Sequence, residues 1–218
     1  MDVKPVGPTY RRRQALATRA AVTEAARRLF AAHGYVATSI QAIADRADIP
    51  VQTIYSAFGS KPAILEEIRR KWIVDADVEV LYARALASPE SRDRLRLAAH
   101  WTRRQFQLGH DVIAVYQEAA RSDPRVAAVW RQALAGREAA VAELLQSLRS
   151  DLRAGLTPGE ALDRYVACTL PETYRTLVLE RGWSPDQYQR WLTELLLAQL
   201  LRDGLTPGFS DGKAPDHV

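Results

Sequence analysis

Two breaks, Asp48-Ile49-Pro50 and Gly59-Ser60-Lys61-Pro62, constrain this chain more than any other feature, because they leave room for only about two turns of helix between them. Asp48 tolerates a left-handed backbone, and Ile49 is pushed away from helical angles by the proline after it. The helix that follows therefore starts at Pro50 or Val51 and ends near Phe58, where glycine, a Ser60 cap and Pro62 in a first turn restart the chain. Upstream, Thr38 and Gln41 have capping-box spacing, and Ile40, Ile43, Ala44 and Ala47 make one apolar stripe, which predicts a short helix from Ser39 to Ala47. Before it, Val22, Ala25, Ala26, Leu29 and Phe30 fall at i, i+3, i+4, i+7 and i+8, on one face of a helix from about Arg12 to His33 that Gly34 stops. A long support helix, a short helix, a tight turn and a second short helix have the dimensions of a tri-helical, DNA-reading helix-turn-helix unit.

The chemistry of the third helix suits that geometry. With Ile54 and Phe58 turned inward, Val51, Gln52, Thr53, Tyr55 and Ser56 face outward. Gln52 has the groups to address adenine bidentately and Val51 to touch a thymine methyl, while Thr53, Tyr55 and Lys61 reach phosphate oxygens. Ser39 and Gln41 on the second helix complete the candidate set, and Arg11, Arg12 and Arg13 form a basic cluster expected just before the first helix. Charge is concentrated in the same region: nine lysines and arginines face four acids from Met1 to Lys61, against 21 and 22 in the remainder. A basic end on a near-neutral body meets a polyanion, either nucleic acid or an anionic membrane surface.

These residues resemble the TetR family of transcriptional regulators. The string Phe30-Ala31-Ala32-His33-Gly34-Tyr35, then Thr38-Ser39-Ile40, Ile43-Ala44, Ala47, Ile49, Thr53-Ile54-Tyr55, Phe58, Ser60-Lys61 and Leu65 follows the family pattern almost position by position. Asp48 stands where glycine is usual, Pro50 where a cap residue such as serine is usual and Pro62 where glutamate is usual; Pro50 removes a backbone N–H from the start of the recognition helix. The resemblance implies an all-helical, two-domain homodimer. Its C-terminal domain would bind a small-molecule effector and thereby release double-stranded operator DNA, and the preference for repressor over activator comes from the resemblance alone.

Beyond Lys61 the periodicity predicts further helices over 62–202, which the resemblance makes a regulatory and dimerisation domain, followed by a Gly- and Pro-rich tail over 203–218. Its helices are expected at Ala63 to about Ala87, at Glu90 to about Ala120 as one or two pieces around Gly109, and from Asp123-Pro124 to about Ala154. Capping boxes at Thr157-Pro158-Gly159-Glu160 and Ser184-Pro185-Asp186-Gln187 start the last two. Pro171 either kinks or breaks the first of these. The final helix, Pro185 to about Arg202, is apolar around nearly its whole circumference, which argues burial on two sides. One reading makes it, with the helix before it, half of a four-helix dimer interface carrying Leu162, Leu177, Trp191, Leu192, Leu196 and Leu200; the other makes it the centre of a monomer's core. The resemblance favours the same helix pair. Trp101, Tyr116, Trp130, Tyr165 and Tyr174 are the candidate ligand contacts, although aromatics at helical spacing are ordinarily core.

Other functional classes find little support. The single cysteine, Cys168, excludes a disulfide or a cysteine-based zinc cluster within one chain. His100, His110 and Glu118 lack the i, i+4 spacing of a helical metal pair and no nucleophile motif accompanies them, so no catalytic, metal or cofactor site is expected. A membrane-surface protein would need a bulky apolar face that the basic first helix does not have, and no run of about 18 uncharged apolar residues is present. A cytoplasmic location is the expectation.

Overall fold

The computed structural model describes residues 10–202; the expected N-terminal arm up to residue 9 and the 203–218 tail lie outside the described residues. Helices account for the architecture, in two compact units: residues 10–76 with 108–134, and residues 77–107 with 135–202. The chain therefore passes from one unit to the other at 76–77, 107–108 and 134–135, rather than once at the expected 61–62 boundary.

In the first unit, α1 (Tyr10–His33) buries Val22, Ala25, Ala26 and Phe30, the stripe read from the sequence, and ends at Gly34 with φ of 83°. Arg11, Arg12 and Arg13 lie inside the first turns of this helix instead of before it, all exposed. The next helix, α2 (Ile40–Ala47), closes on left-handed Asp48. Its cap is Ser39, whose Oγ accepts from Ala42 N at 3.0 Å. Thr38, expected to cap, is buried and donates to the Gly34 carbonyl at 2.8 Å. Then come α3 (Val51–Phe58) and α4 (Lys61–Asp75). α4 buries Ile64, Leu65, Ile68 and Trp72, as α1 buries Phe30 and α3 buries Ile54. Arg19 ties the bundle together, donating to the Ala57 carbonyl at 2.5 Å and pairing with Glu67 at 3.0 Å.

The helix expected over 63–87 is two, α4 and α5 (Val78–Ala87), because Asp77 takes a left-handed φ of 53° between them. Two helical pieces follow, joined across a kink at Gly109, whose angles are non-helical, and together labelled α6 (Ser91–Ala119). A Cβ there would stand 2.1 Å from the Trp72 indole, so only glycine lets the backbone pass. The second half of α6 and the first part of α7 (Pro124–Gln146) belong to the first unit.

In the second unit α7 stops eight residues short of its expected end. A 3₁₀ turn (Arg149–Asp151) and an isolated antiparallel bridge between Leu152 and Leu201 replace it, with Arg153 N donating to the Leu200 carbonyl at 2.9 Å. Both capping boxes are present, Thr157 with Glu160 opening α8 (Pro158–Cys168) and Ser184 with Gln187 opening α10 (Pro185–Leu200). Pro171 breaks the helix: Leu170 is extended, and the proline sits in the first turn of a new helix, α9 (Pro171–Tyr174), which widens into a π-turn over Arg175–Glu180. Phe106, Tyr165, Tyr174 and Tyr188 form the aromatic centre of this unit's core, with Leu192, Leu196, Leu197 and Leu200 beneath.

Candidate nucleic-acid interface

Amphipathicity orients α3. Ile54 is buried against the first unit's core, Val51 is half-buried at the helix start, and Gln52, Thr53, Tyr55 and Ser56 are exposed together. Pro50 gives this helix no side-chain cap. Ser56 donates its hydroxyl proton to the Gln52 carbonyl at 2.9 Å, so it meets a ligand only as an acceptor. Gln52 and Thr53 keep unencumbered polar groups at the end of the helix that would enter a groove, and Tyr55, 48% exposed, carries its phenol outward at the side. At the start of α2, Ser39 uses its oxygen as the cap acceptor and retains its proton to donate to a phosphate. Gln41 gives one amide hydrogen to Asp45 at 2.8 Å and keeps its carbonyl.

The segment between α1 and α2 is clamped from both sides. Lys61 Nζ donates to the carbonyls of Tyr35 at 2.7 Å and Thr38 at 2.8 Å and lies 4.3 Å from the centre of the Tyr35 ring. Burial lowers its basicity, opposed by the nearby carboxylates of Asp123 and Glu118. On the other side, the Glu118 carboxylate accepts the amides of Tyr35 at 3.1 Å and Val36 at 3.3 Å. Gly34 is required beside it, since a Cβ would fall 2.8 Å from Glu118 Oε1 and φ is positive. Lys61, expected as a phosphate contact, thus has two of its three N–H groups engaged with backbone. Glu118 is a positioning residue that sequence reasoning missed; it lies 83 positions from Tyr35, and no local pattern links them.

Next to this clamp opens a groove of about 420 Å³ bounded by Tyr35 and Val36, Ile40 of α2, Tyr55 of α3, the Gly59–Pro62 turn, and Ser122, Asp123 and Arg125 at the entry to α7. The Tyr35 hydroxyl is buried, and burial together with the nearby Asp123 carboxylate pushes the phenol up to about 12.

The other candidate residues fall in both units. Tyr116 and Trp130 stack at 5.0 Å in the first, and the Tyr116 hydroxyl donates to Glu66 at 3.1 Å. Trp101, Tyr165 and Tyr174 belong to the second, where Tyr165 shares a hydrogen bond with Thr102 at 3.0 Å and Trp101 Nε1 is buried without a partner. Of the expected interface residues, Leu162, Leu177 and Trp191 retain exposed surface. Leu192, Leu196 and Leu200 have none in the single chain; they fill its own core, because the apolar circumference of α10 turns that side inward. The outward side presents Trp191 and Leu195, both half-exposed. His100 bonds Gln189 at 2.9 Å, and no described residues form a metal-binding cluster. No helix among the described residues is long and apolar enough to cross a membrane.

Residues 15–68, from within α1 through α2 and α3 to the first half of α4, match the family model of bacterial regulatory proteins of the tetR family. No curated protein matches the chain. Among solved structures, the chain is similar to NalD of Pseudomonas aeruginosa, the secondary repressor of a multidrug efflux pump, at 24% identity over 87% of this chain and 99% of that one, with a TM-score of 0.66. It is also similar to SmeT, the repressor of a Stenotrophomonas maltophilia multidrug efflux pump (20% identity, 94% and 98% covered, TM-score 0.65). A transcriptional regulator from Saccharomonospora viridis in complex with choline shares the fold at 20% identity, with 84% and 97% covered and a TM-score of 0.64. The first three helices of the chain are thus matched by the family model of bacterial regulatory proteins of the tetR family, and its all-helical fold is shared with these regulators.

Proposed function

We propose that this regulator is a repressor that binds a palindromic operator as a homodimer and is released by a small-molecule effector. The observation that carries the DNA reading is the exposed set Gln52, Thr53 and Tyr55 on a short helix whose inner face is locked by Ile54, beside a turn held in place by Lys61 and Glu118. Such an arrangement presents base-reading and phosphate-contacting groups from a rigid support. Among the residues read from the sequence, Ser39, Gln41, Val51, Gln52, Thr53, Tyr55 and Ser56 remain proposed DNA contacts, and Lys61 contributes its remaining N–H while fixing the start of α2.

The effector is proposed to enter the second unit, where buried Trp101 Nε1 and the Tyr188 hydroxyl have no partner within the chain and would gain one from a polar ligand. The choline complex of the Saccharomonospora viridis regulator supports a ligand-responsive reading. Assembly is proposed through the outward faces of α8, the π-turn and α10, with Leu162, Leu177, Trp191 and Leu195 at the contact. A cytoplasmic location follows from this role.

Site selection from a random duplex pool tests the reading. Tyr55→Phe should weaken binding to all sequences, while Gln52→Ala should change preference by about 1 to 3 kcal/mol at one position per half-site. Full affinity in the first variant together with unchanged preference in the second would remove α3 from the interface.

A further inference from the structure

We propose that Arg125, at the entry to α7 and outside the helix-turn-helix, is a DNA phosphate contact, so that the footprint of the reading head extends to the α6–α7 turn. The proposal rests on the DNA-binding reading above and adds a residue to it. Its basis is the groove, which Tyr55 and Ser60 line together with Asp123 and Arg125. A phosphate strand held by Tyr55 and the start of α2 runs along the mouth of that groove and brings a neighbouring phosphate toward the α7 entry.

The groove's charged lining consists of Lys61, Asp123 and Arg125. Lys61 is tied to two carbonyls, whereas the Arg125 side chain is 72% exposed, so Arg125 is the cation with reach. Its Nε and Nη2 lie 3.3 and 3.2 Å from the two oxygens of Asp123, which holds one edge of the guanidinium and leaves the N–H groups of the other edge for an incoming oxygen. Asp123 itself, only 16% exposed and accepting the Arg125 amide at 2.9 Å, fixes the helix start and places a negative charge where the phosphate would come. The two side chains therefore make opposite contributions: Arg125 attracts the strand, and the Asp123 charge repels it. A purely local ion pair, the alternative role for Arg125, predicts no effect of either charge on DNA.

The test is fluorescence anisotropy of the full chain on a selected duplex between 50 and 200 mM salt, with thermal denaturation confirming that each variant is folded. One lost phosphate contact lowers the slope of log affinity against log salt by about 0.9, so the ratio of wild-type to Arg125→Ala affinity should change about 3.5-fold across that range. Arg125→Lys should restore most of the slope, and Asp123→Asn, which keeps the acceptor for the helix start, should tighten binding, most at 50 mM. Arg131→Ala, an exposed cation further along α7, should leave the slope unchanged. A wild-type chain that binds no duplex overturns the DNA reading and this proposal with it. A wild-type chain whose slope is the same as that of Arg125→Ala overturns the proposal alone.

Discussion

Position within the reading head depends on a few side chains that never need to touch DNA. The proposed phosphate contact of Ser39 depends on the angle at which the chain from Gly34 to Thr38 arrives, and that angle is set by Glu118 on two amides and Lys61 on two carbonyls. Both are charge-assisted contacts, worth more than neutral ones, yet the carboxylate is half-exposed and water substitutes for part of it. Glu118→Ala should therefore cost roughly 1 to 2 kcal/mol, a fall of about 2 to 8 °C in Tm for a chain of this size. Operator affinity should fall with it, while Glu118→Gln, which keeps one acceptor oxygen, should recover much of both. An unaltered melting curve for Glu118→Ala would show that the turn holds its shape without the carboxylate.

Elements are joined less by their caps than by a few long-range pairs. Arg27 of α1 meets Asp111 of α6 through two contacts of 2.7 Å and also donates to the Leu108 carbonyl at 2.6 Å, beside the Gly109 bend. Burial alone would raise the Asp111 carboxyl, but hydrogen bonds and charge from Arg27 outweigh it and hold the group below its usual range. A carboxylate depressed in the folded state contributes stability above its unfolded value, about 3.9, and loses it as pH falls through the folded value. Asp111→Asn should thus cost roughly 1 to 3 kcal/mol near neutral pH, and the gap between variant and wild type should narrow below about pH 4. Urea denaturation from pH 7 down to pH 3 measures it; a gap independent of pH would dissociate the pair from acid stability. The same distinction explains what was legible in the sequence. Thr157 and Ser184 cap their helices as read, because a capping box is decided within four residues. The end of α7 was not legible, since Arg153 is drawn out of helix by the Leu200 carbonyl, nor was the break at Asp77, which an unbroken apolar stripe concealed. On α10 the apolar residues are evident in the sequence, but not which side faces the chain's own core, where Leu192, Leu196 and Leu200 are buried.

At the scale of the whole molecule, the burial of those leucines changes how assembly must be tested. Leu196→Glu would place a carboxylate in the subunit's own core and unfold it, whereas Trp191→Glu with Leu195→Glu alters half-exposed positions. The second pair should yield folded monomers in sedimentation with weakened operator binding; an intact dimer would move the interface off α10. In the proposed homodimer two heads would have to meet successive major-groove faces about 34 to 36 Å apart, so any change in their separation would spoil simultaneous docking. An effector in the second unit would act in this way without touching DNA. Linkage then fixes the magnitude: an effector that weakens operator binding about tenfold must itself bind the DNA-bound protein about tenfold more weakly, a coupling of about 1.4 kcal/mol. Thermal-shift screening would identify a ligand, and calorimetry with and without saturating operator would measure both affinities. Equal affinities would rule that compound out as an inducer, because a ligand that does not distinguish the two states cannot shift the balance between them.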